Sequence, residues 1–504
     1  MQKKQTILVV ASLLIVVLSV TLAYFTAQII GKGKDVSVSS ADLKIIFTDS
    51  DGAISGSNIE PGWSDTKTFT VENNSKSEYK YNIVIKDLLN TFVTNGYLQY
   101  KITSTNDGYN MTEFKDVPKS SVATDTILAY SVVIPNGVTQ SYTIEFKYAN
   151  DESVDQSDDM GRKLSGTLFI TEGTEDPNKT LYNQLLADKS TKLTRTDFSK
   201  VLTDNNTKTL YTSTEDSKTV YYFAGNATDN WVKFGKNASN QDLYWRIIRT
   251  NSDGGVRLLY HGTSTTATDA YIGTSAFNTT YNNSMYVGYM YGTSGAQASN
   301  RTNENSSTIK TAIDNWYVSN LEAKGYTKYL STTAVYCNDR EVGSGTYSAT
   351  GSAFYYASYA RLNTNKTPTY DCTNINDKFT VDTSTGNGKL TYPIALMTAD
   401  EIAFAGGVSF TKMNTPSAWF ISNSVGTQVS SDWWSLSPER WDGSNSRGWF
   451  WEFFNSGSSG LYDINVVGAF AVRPAISLKS CTKWANGDGS SSNPYTIQET
   501  ETGC

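Results

Sequence analysis

The sequence predicts a mainly β chain with an α+β C-terminal part, preceded by a single apolar N-terminal helix. Three observations support this prediction. Short segments rich in β-branched and aromatic residues alternate with turn residues over most of the chain. Helical spacing of apolar residues is confined to a few short stretches. One long charge-free apolar run stands at the start of the chain.

The N-terminal run covers residues 5–31 and follows Lys3 and Lys4. Positive residues before an apolar run keep the N-terminus inside the cell and send the following chain outside. The run is long enough to span a bilayer, but the small residues at 23–27 also offer a signal-peptidase site. The sequence therefore predicts export, with residues 1–31 as either a cleaved signal peptide or a membrane anchor helix. An uncleaved helix would make the membrane a partner.

Residues 36–172 show five alternating segments, at 43–47, 66–71, 81–85, 141–146 and 166–170. Turn pairs such as Pro61-Gly62 and Asn136-Gly137 separate them. Several short strands at this spacing predict a β-sandwich of jelly-roll or immunoglobulin-like type.

The start of this region has a family resemblance. The stretches AYFTA, ADLKI and IEPGWSDTKTFTVENNS, all between residues 23 and 75, resemble the camelysin/TasA family of exported matrix proteins. The resemblance implies export with trimming by a specialised signal peptidase. It also implies that the N-terminal domain can self-associate by strand exchange.

Residues 173–217 are polar with one short helical pattern, which predicts a linker or stalk. Residues 218–504 then form the last domain. It begins with strands at 220–223, 231–234, 244–249 and 256–260, the last two joined by an Asp-Gly-Gly hairpin signal. A helix at 307–321 starts on Ser307 as N-cap. The polar, aromatic segment at about 326–390 is interpreted as an inserted decoration.

A second helix follows at Thr398, where Thr398 and Glu401 make a capping box and Gly406-Gly407 stops the helix. Residues 431–480 close the domain. They open on Trp433-Trp434 and end on an apolar strand at 471–478, both interpreted as core. The middle carries rings, guanidiniums and amides separated by Gly and Ser, a composition typical of adaptable binding surfaces. An ordinary Trp-rich β-core is the alternative.

Two motifs in this domain have a family resemblance. WWSLSP followed by AVRPAISL, preceded by LMTADEIAFAGG, resembles bacterial surface proteins with a C-type-lectin-like, formylglycine-generating-enzyme-like fold. These include the variable proteins of diversity-generating retroelements. The resemblance implies a C-type-lectin-like domain with a ligand-binding face in this segment.

The candidate binding residues come from the Trp-rich segment. Strand alternation places Trp449, Trp451, Phe453 and Asn455 on one side. The cost of burying Glu452 favours that side as core, whereas the family resemblance favours Phe450 and Phe454 as core, and we follow the resemblance. The predicted binding face is Arg440, Trp441, Asn445, Arg447, Trp451, Phe453, Asn455, Tyr462 and Asn465.

The chain has four cysteines, Cys337, Cys372, Cys481 and Cys504. An even number in an exported protein predicts two disulfides, with three possible pairings. Pairing of sequence neighbours would join the first two and the last two.

Several functions are disfavoured. A net charge of −7 without a basic stripe argues against nucleic-acid binding. Phosphate-loop, dinucleotide and HExxH motifs do not occur. The only histidine, His261, has no GxSxG partner motif, which favours a structural or surface role. We therefore expect no catalytic residues, metal site or cofactor.

These expectations combine into one functional prediction. The chain is expected to be a cell-surface or secreted, non-enzymatic adhesin or receptor whose partner is an extracellular glycan or protein. The alternative is a structural matrix or fibre protein that polymerises through its N-terminal β-sandwich.

Overall fold

A computed structural model describes residues 36–40, 43–49, 53–56, 59–174, 176, 179–204, 206–414, 418–429, 432–454 and 458–504, with backbone only at 36–56, 414, 454 and 458. The chain divides into two compact units, Met1–Pro177 and Asn178–Cys504. The predicted mainly β fold is confirmed, since 39% of the described residues are in strands and 13% are helical. The predicted N-terminal apolar helix lies outside the described residues. Among the helices within them, none is long and apolar enough to cross a bilayer.

The first unit contains ten strands: β1 (Val36–Ser40), β2 (Leu43–Asp49), β3 (Ala53–Gly56), β4 (Ser64–Asn73), β5 (Tyr79–Asn90), β6 (Leu98–Ser104), β7 (Lys115–Asp116), β8 (Ser120–Ile134), β9 (Thr139–Tyr148) and β10 (Leu164–Glu172). One sheet has the order β1-β2-β4-β9-β6-β7 and the other β3-β10-β5-β8. All pairings are antiparallel.

Period-two alternation builds the core of this unit. Along β9, Tyr142, Ile144 and Phe146 are buried between exposed or half-buried neighbours. Ile83 and Ile85 of β5, in the other sheet, join the same core. The two sheets therefore form two layers over one core. All five predicted segments are strands, namely β2, β4, β5, β9 and β10, and β1, β3, β6, β7 and β8 are additional.

The second unit begins with nine strands: β11 (Thr191–Thr194), β12 (Thr209–Glu215), β13 (Lys218–Tyr222), β14 (Trp231–Lys236), β15 (Asp242–Thr250), β16 (Val256–Gly262), β17 (Thr274–Ser275), β18 (Met290–Tyr291) and β19 (Asn305–Ser306). It continues with β20 (Tyr336–Cys337), β21 (Val342–Ser344), β22 (Phe354–Tyr356), β23 (Lys378–Phe379), β24 (Ile394–Leu396), β25 (Met413–Asn414), β26 (Trp433–Trp441), β27 (Ser446–Phe454), β28 (Ser458–Asn465), β29 (Phe470–Ala471), β30 (Pro474–Leu478), β31 (Trp484–Asn486) and β32 (Thr496–Ile497).

The α-helices of this unit are α1 (Leu181–Asp188), α2 (Gln297–Asn300), α3 (Thr308–Tyr317), α4 (Ala357–Tyr359) and α5 (Ala399–Ala405). Single turns of π-helix continue α3 and α4 at Val318–Glu322 and Ala360–Asn365. As predicted, the Ser307 side chain caps α3 by accepting a hydrogen bond from the Lys310 amide. The capping box of Thr398 and Glu401 also forms, and Gly406 follows α5 with φ +122°.

Two large sheets organise the second unit. The first runs β11-β12-β13-β15-β16-β30-β24, with β14 paired to β15. The second runs β17-β29-β26-β27-β28-β25, and β22 adds to it by pairing with β26. Buried residues from both sheets share one core. The jelly-roll or immunoglobulin-like type of the first unit and the C-type-lectin-like type of the second remain predictions.

The predicted linker at 173–217 is wrong for its larger part. Leu181 and Leu185 of α1 are buried in the main core, and β12 pairs with β13 inside the first large sheet. The few apolar residues of this polar segment are spaced so that one side faces the core, and they suffice to anchor it.

The segment at 326–390 is also more than a decoration. Tyr336 and Phe354 are buried in the main core, and β22 is a strand of the second large sheet. The segment therefore belongs to the domain and supplies one border of its Trp-rich sheet.

The predicted neighbour pairing of cysteines is confirmed. Cys337 pairs with Cys372 and Cys481 with Cys504, at Cα–Cα distances of 5.7 and 5.1 Å. Two disulfides are consistent with an oxidising, extracellular environment.

Candidate ligand-binding site

Strand register places several predicted binding residues on one face of the Trp-rich sheet. Tyr355 of β22 lies opposite Arg440 of β26, which lies opposite Arg447 of β27. On β28, Asp463 lies opposite Trp449 of β27 and Asn465 lies opposite Arg447. Because directly opposite residues share a face of a sheet, these side chains lie together. We call this surface, with the adjoining rings of Tyr359 and Phe410, the Arg440 face.

A β-bulge shapes this face. Pro438 pairs with Gly448 and Arg440 pairs with Arg447, so Glu439 is an extra residue in β26. Bulges twist a strand locally and re-aim its side chains. Here the bulge places Glu439 beside Arg440, with 3.5 Å between Glu439 Oε2 and Arg440 Nε.

A carboxylate holds the two arginines in place. Arg440 Nη2 lies 3.2 Å from Asp463 Oδ2, and Arg447 Nε donates a hydrogen bond to the same oxygen. Arg447 Nη1 also lies 3.7 Å from Asp442 Oδ2. The side chains of Arg440 and Arg447 remain 27% and 23% exposed. Both guanidiniums are thus fixed in position and still accessible to a ligand.

The two predicted amides join this network. Asn465 Nδ2 donates to Asn445 Oδ1 at 2.9 Å, and the Asn445 backbone amide donates to Asp442 Oδ1 at 2.7 Å. The structure therefore brings together four of the predicted residues, Arg440, Arg447, Asn445 and Asn465, through the carboxylates of Asp442 and Asp463.

Aromatic rings border the charged groups. Tyr355 and Tyr359 stack with centroids 4.1 Å apart, and Tyr359 stacks at 6.4 Å on the buried Trp449. Phe410 lies 5.3 Å from Trp449 and 5.6 Å from Tyr462, a predicted site residue that is half-buried. Sequence reasoning did not find Tyr355, Tyr359 and Phe410, because they come from segments far from β26–β28 in the chain.

Phe410 has an unusual backbone. Its φ is +53°, a left-handed conformation that a bulky side chain rarely adopts. The residue as a whole is 37% exposed. The Phe410 amide donates to the Leu461 carbonyl, which holds the loop against β28. Strained residues of this kind cluster at functional sites.

Two of the predicted residues, Trp441 and Trp451, do not form an exposed face. Trp441 and Trp451 are fully buried, and Phe453 is half-buried. The Trp441 indole donates to the Gly351 carbonyl at 3.1 Å, and Trp451 packs edge-on against Phe420. The prediction that these two indoles face solvent is wrong, because both faces of the sheet are covered here. Asn455 lies outside the described residues.

Glu439 has unusual electrostatics. It is fully buried, and neither carboxylate oxygen has a hydrogen-bond partner among the residues that the structure describes. Burial, and then the charge of Asp463, raise the pKa of Glu439 to about 8, although Arg440 and Arg447 oppose this shift. The two arginines oppose it only in part, because their nearest carboxylate is Asp463. A neutral carboxylic acid therefore lies under the Arg440 face at neutral pH.

His261 lies elsewhere, in the interior. Its ring packs edge-on against Trp231 at 4.4 Å, and burial together with Arg246 and Arg473 lowers its pKa well below the usual value. Such a histidine stays neutral and out of contact with solvent, which suits a structural role. Within the described part of the chain, no group of three or more His, Cys, Asp or Glu side chains could hold a metal ion.

Comparisons with known proteins give no assignment. Neither a protein-family model nor a curated protein matches this chain. Among solved structures, that of a ruminal GH26 endo-beta-1,4-mannanase aligns with 29% of this chain and 29% of its own, at 14% identity and a TM-score of 0.15. A likeness of that size supports no conclusion about fold or activity.

Proposed function

We propose that this chain is a non-enzymatic adhesin or receptor that binds an extracellular glycan or protein through the Arg440 face. Two features of this face together carry the proposal. The guanidiniums of Arg440 and Arg447 are held by ion pairs and remain partly exposed, and the stacked rings of Tyr355 and Tyr359 border them. Arginines and aromatic rings dominate the energy of binding surfaces, since they offer large contact at low entropic cost.

The local charge favours a ligand rich in hydroxyl groups. Arg440 and Arg447 are balanced by Asp442 and Asp463, so the face offers both hydrogen-bond donors and acceptors with little net charge. Pyranose rings present hydroxyls at their edges and C–H groups on their faces, which suits this arrangement. We accordingly place a neutral glycan first and a protein second.

The proposed location is the cell surface or the extracellular space. The predicted apolar run at 1–31 would direct export, and the two disulfides suit an oxidising environment. A C-type-lectin-like type for the second unit remains part of this proposal, on the motifs around Trp433 and Thr398.

A printed array of oligosaccharides and cell-surface proteins tests the proposal. The full chain is expected to bind a subset of spots, and the Arg440→Ala/Tyr359→Ala variant is expected to lose them. Arg162→Ala, which removes an exposed arginine from the first unit, is the matched control and should bind as the native chain does. Binding that survives the double variant would place the site elsewhere.

One observation favours a second candidate function, a fibre-forming matrix protein. Strand β8 ends its sheet, and of the described strands it pairs only with β5. Val122 on this strand is 70% exposed. An edge strand has backbone groups that can pair with another chain, and the resemblance to the camelysin/TasA family points the same way.

Light scattering and electron microscopy of the full chain test this second function. Fibres that appear with rising concentration and vanish in Val122→Lys would support it. The control is Val154→Lys, which places the same charge at another exposed valine of the first unit. A chain that stays monomeric at all concentrations would rule it out.

A further inference from the structure

Glu439 is the least satisfied carboxyl group around the Arg440 face. It is buried, it is the extra residue of a β-bulge, and its oxygens lack hydrogen-bond partners within the described part of the chain. Buried polar groups in folded proteins almost always have partners, so an exception calls for a physical explanation. β-Bulges occur preferentially at sheet edges and next to active sites, where they re-aim a side chain.

The charged groups around Glu439 come from every neighbouring strand. Arg440 follows it on β26, Asp442 lies in the turn after β26, Arg447 lies on β27 and Asp463 on β28. Tyr355 of β22 lies beside Arg440, whose guanidinium is 5.8 Å from the ring centroid. Among them, the Arg440 guanidinium lies within ion-pair distance of Glu439, with 3.5 Å between Arg440 Nε and Glu439 Oε2.

The neutral and ionised forms of Glu439 make different demands on Arg440. A neutral carboxyl needs no cation, so Arg440 is left to pair with Asp463 and its side chain stays 27% exposed. An ionised carboxylate cannot stay buried without a donor. A hydrogen bond to Glu439 requires the Nε–Oε2 distance to shorten from 3.5 Å to about 2.9 Å, which moves the guanidinium towards the interior.

We propose that Glu439 is a proton-operated positioning residue, which leaves Arg440 displayed when neutral and draws it inward when ionised. The raised pKa of Glu439 places the change between neutral and mildly alkaline pH. Glu439 touches no ligand and acts only through Arg440. On the proposed function, this makes ligand binding proton-linked, with affinity that falls as pH rises from 7 to 9.

We call this proton-dependent movement of Arg440 the switch. Chemical labelling tests the switch without any ligand. Phenylglyoxal modifies accessible guanidiniums, and peptide mass spectrometry reports each arginine separately. The labelling rate of Arg440, divided by that of the exposed Arg162 in the same sample, cancels the reagent's own pH dependence. For a group with a pKa of about 8, the neutral fraction and hence this ratio falls by up to about tenfold between pH 7 and pH 9.

The Glu439→Gln variant is the decisive comparison, because glutamine has nearly the same shape and cannot ionise. Its ratio should stay at the value that the native chain shows at pH 7. A flat ratio in the native chain, or an equal fall in the variant, would overturn the proposal. If the variant does not fold, as judged by near-ultraviolet circular dichroism, the native titration decides alone: a fall centred near pH 8 supports the switch and a flat ratio refutes it.

The switch and the proposed function can fail separately. A pH-dependent labelling ratio with an empty binding array would keep the switch and remove the receptor. Array binding that is equal at pH 7 and pH 9, with a flat labelling ratio, would keep the receptor and remove the switch.

Discussion

At the scale of single residues, Trp451 illustrates how the Trp-rich sheet is stabilised. Its ring lies 4.8 Å from Phe420 and 6.5 Å from Trp433, and it is fully buried. We expect Trp451→Ala to lower the free energy of unfolding by about 3–5 kcal/mol, because it removes a large buried side chain and leaves a cavity. Urea unfolding measures this. The half-buried Phe453→Ala should cost less, and equal costs would contradict the burial of Trp451.

Glu401 forms buried ion pairs with two arginines of the second unit. It accepts hydrogen bonds from Arg249 Nε at 2.9 Å and Arg257 Nη1 at 2.7 Å, and all three side chains are buried. Burial alone would raise the pKa of Glu401, but Arg257 and Arg249 bring it down from 4.5 to about 2. The folded pKa is depressed, so this stabilisation is present above pH 4.5 and is lost as pH falls towards 2.

We therefore expect Glu401→Gln to cost about 3–5 kcal/mol at pH 7, because two buried guanidiniums lose their carboxylate. Urea unfolding at pH 7 and pH 3 measures the effect, and the difference from the native chain should shrink at pH 3. The exposed Glu322→Gln is the control and should leave both curves unchanged. A Glu401→Gln variant as stable as the native chain at pH 7 would show that the ion pair is dispensable.

Some residues of the site could be predicted from the sequence, and their carboxylate partners could not. Arg440, Arg447, Asn445 and Asn465 were found because they lie in one composition-biased segment. The acceptors that organise the arginines were missed, because Asp463 looks like an ordinary surface carboxylate until the register of β27 and β28 places it beside them. Likewise, Glu401 meets its arginines across 152 and 144 residues of sequence.

At the scale of elements, α5 depends on its N-terminal cap. The Thr398 side chain accepts from the Glu401 amide, and the Glu401 side chain accepts from the Thr398 amide at 3.0 Å. We expect Thr398→Ala to cost about 1 kcal/mol through the loss of the cap. Thr398→Ser keeps the hydroxyl and should stay close to native stability. Thermal unfolding of the three proteins compares them, and identical midpoints would contradict a stabilising cap.

Local sequence patterns predicted where helices and strands form better than which of their faces are buried. The caps of α3 and α5 and five of the ten strands of the first unit follow from residue spacing, because hydrogen-bonding and burial demands repeat locally. Alternation failed for β26 and β27. It assumes one solvated face, whereas Trp449, Phe450 and Trp451 are buried in succession. Rings from distant segments cover these side chains, such as Tyr359 and Phe410 on Trp449 and Phe420 on Trp451, and local alternation does not register them.

At the scale of the whole molecule, the disulfides close loops of 35 and 23 residues. Each cross-link lowers the entropy of the unfolded chain, by about 3–4 kcal/mol for loops of this length. We expect dithiothreitol to reduce the stability of the second unit accordingly, as measured by urea unfolding. The Cys337→Ser/Cys372→Ser/Cys481→Ser/Cys504→Ser variant should unfold at the same urea concentration with and without dithiothreitol. A native chain indifferent to reductant would contradict a stabilising role.

Domain organisation was predictable only in outline. Composition separated an N-terminal β region from a larger aromatic region, and each has its own core. The boundary near residue 177 rather than 217 escaped prediction. Residues 179–217 contribute few apolar side chains, and their place in the second unit depends on pairing with β13 and packing of α1.

The proposed function requires that the Arg440 face binds an extracellular ligand. Its most direct test is the array experiment with single variants of the full chain. We expect Arg440→Ala, Arg447→Ala and Tyr359→Ala each to weaken the same spots, and Arg162→Ala to leave them unchanged. Binding that is indifferent to all three face variants, in proteins shown to be folded, would contradict it.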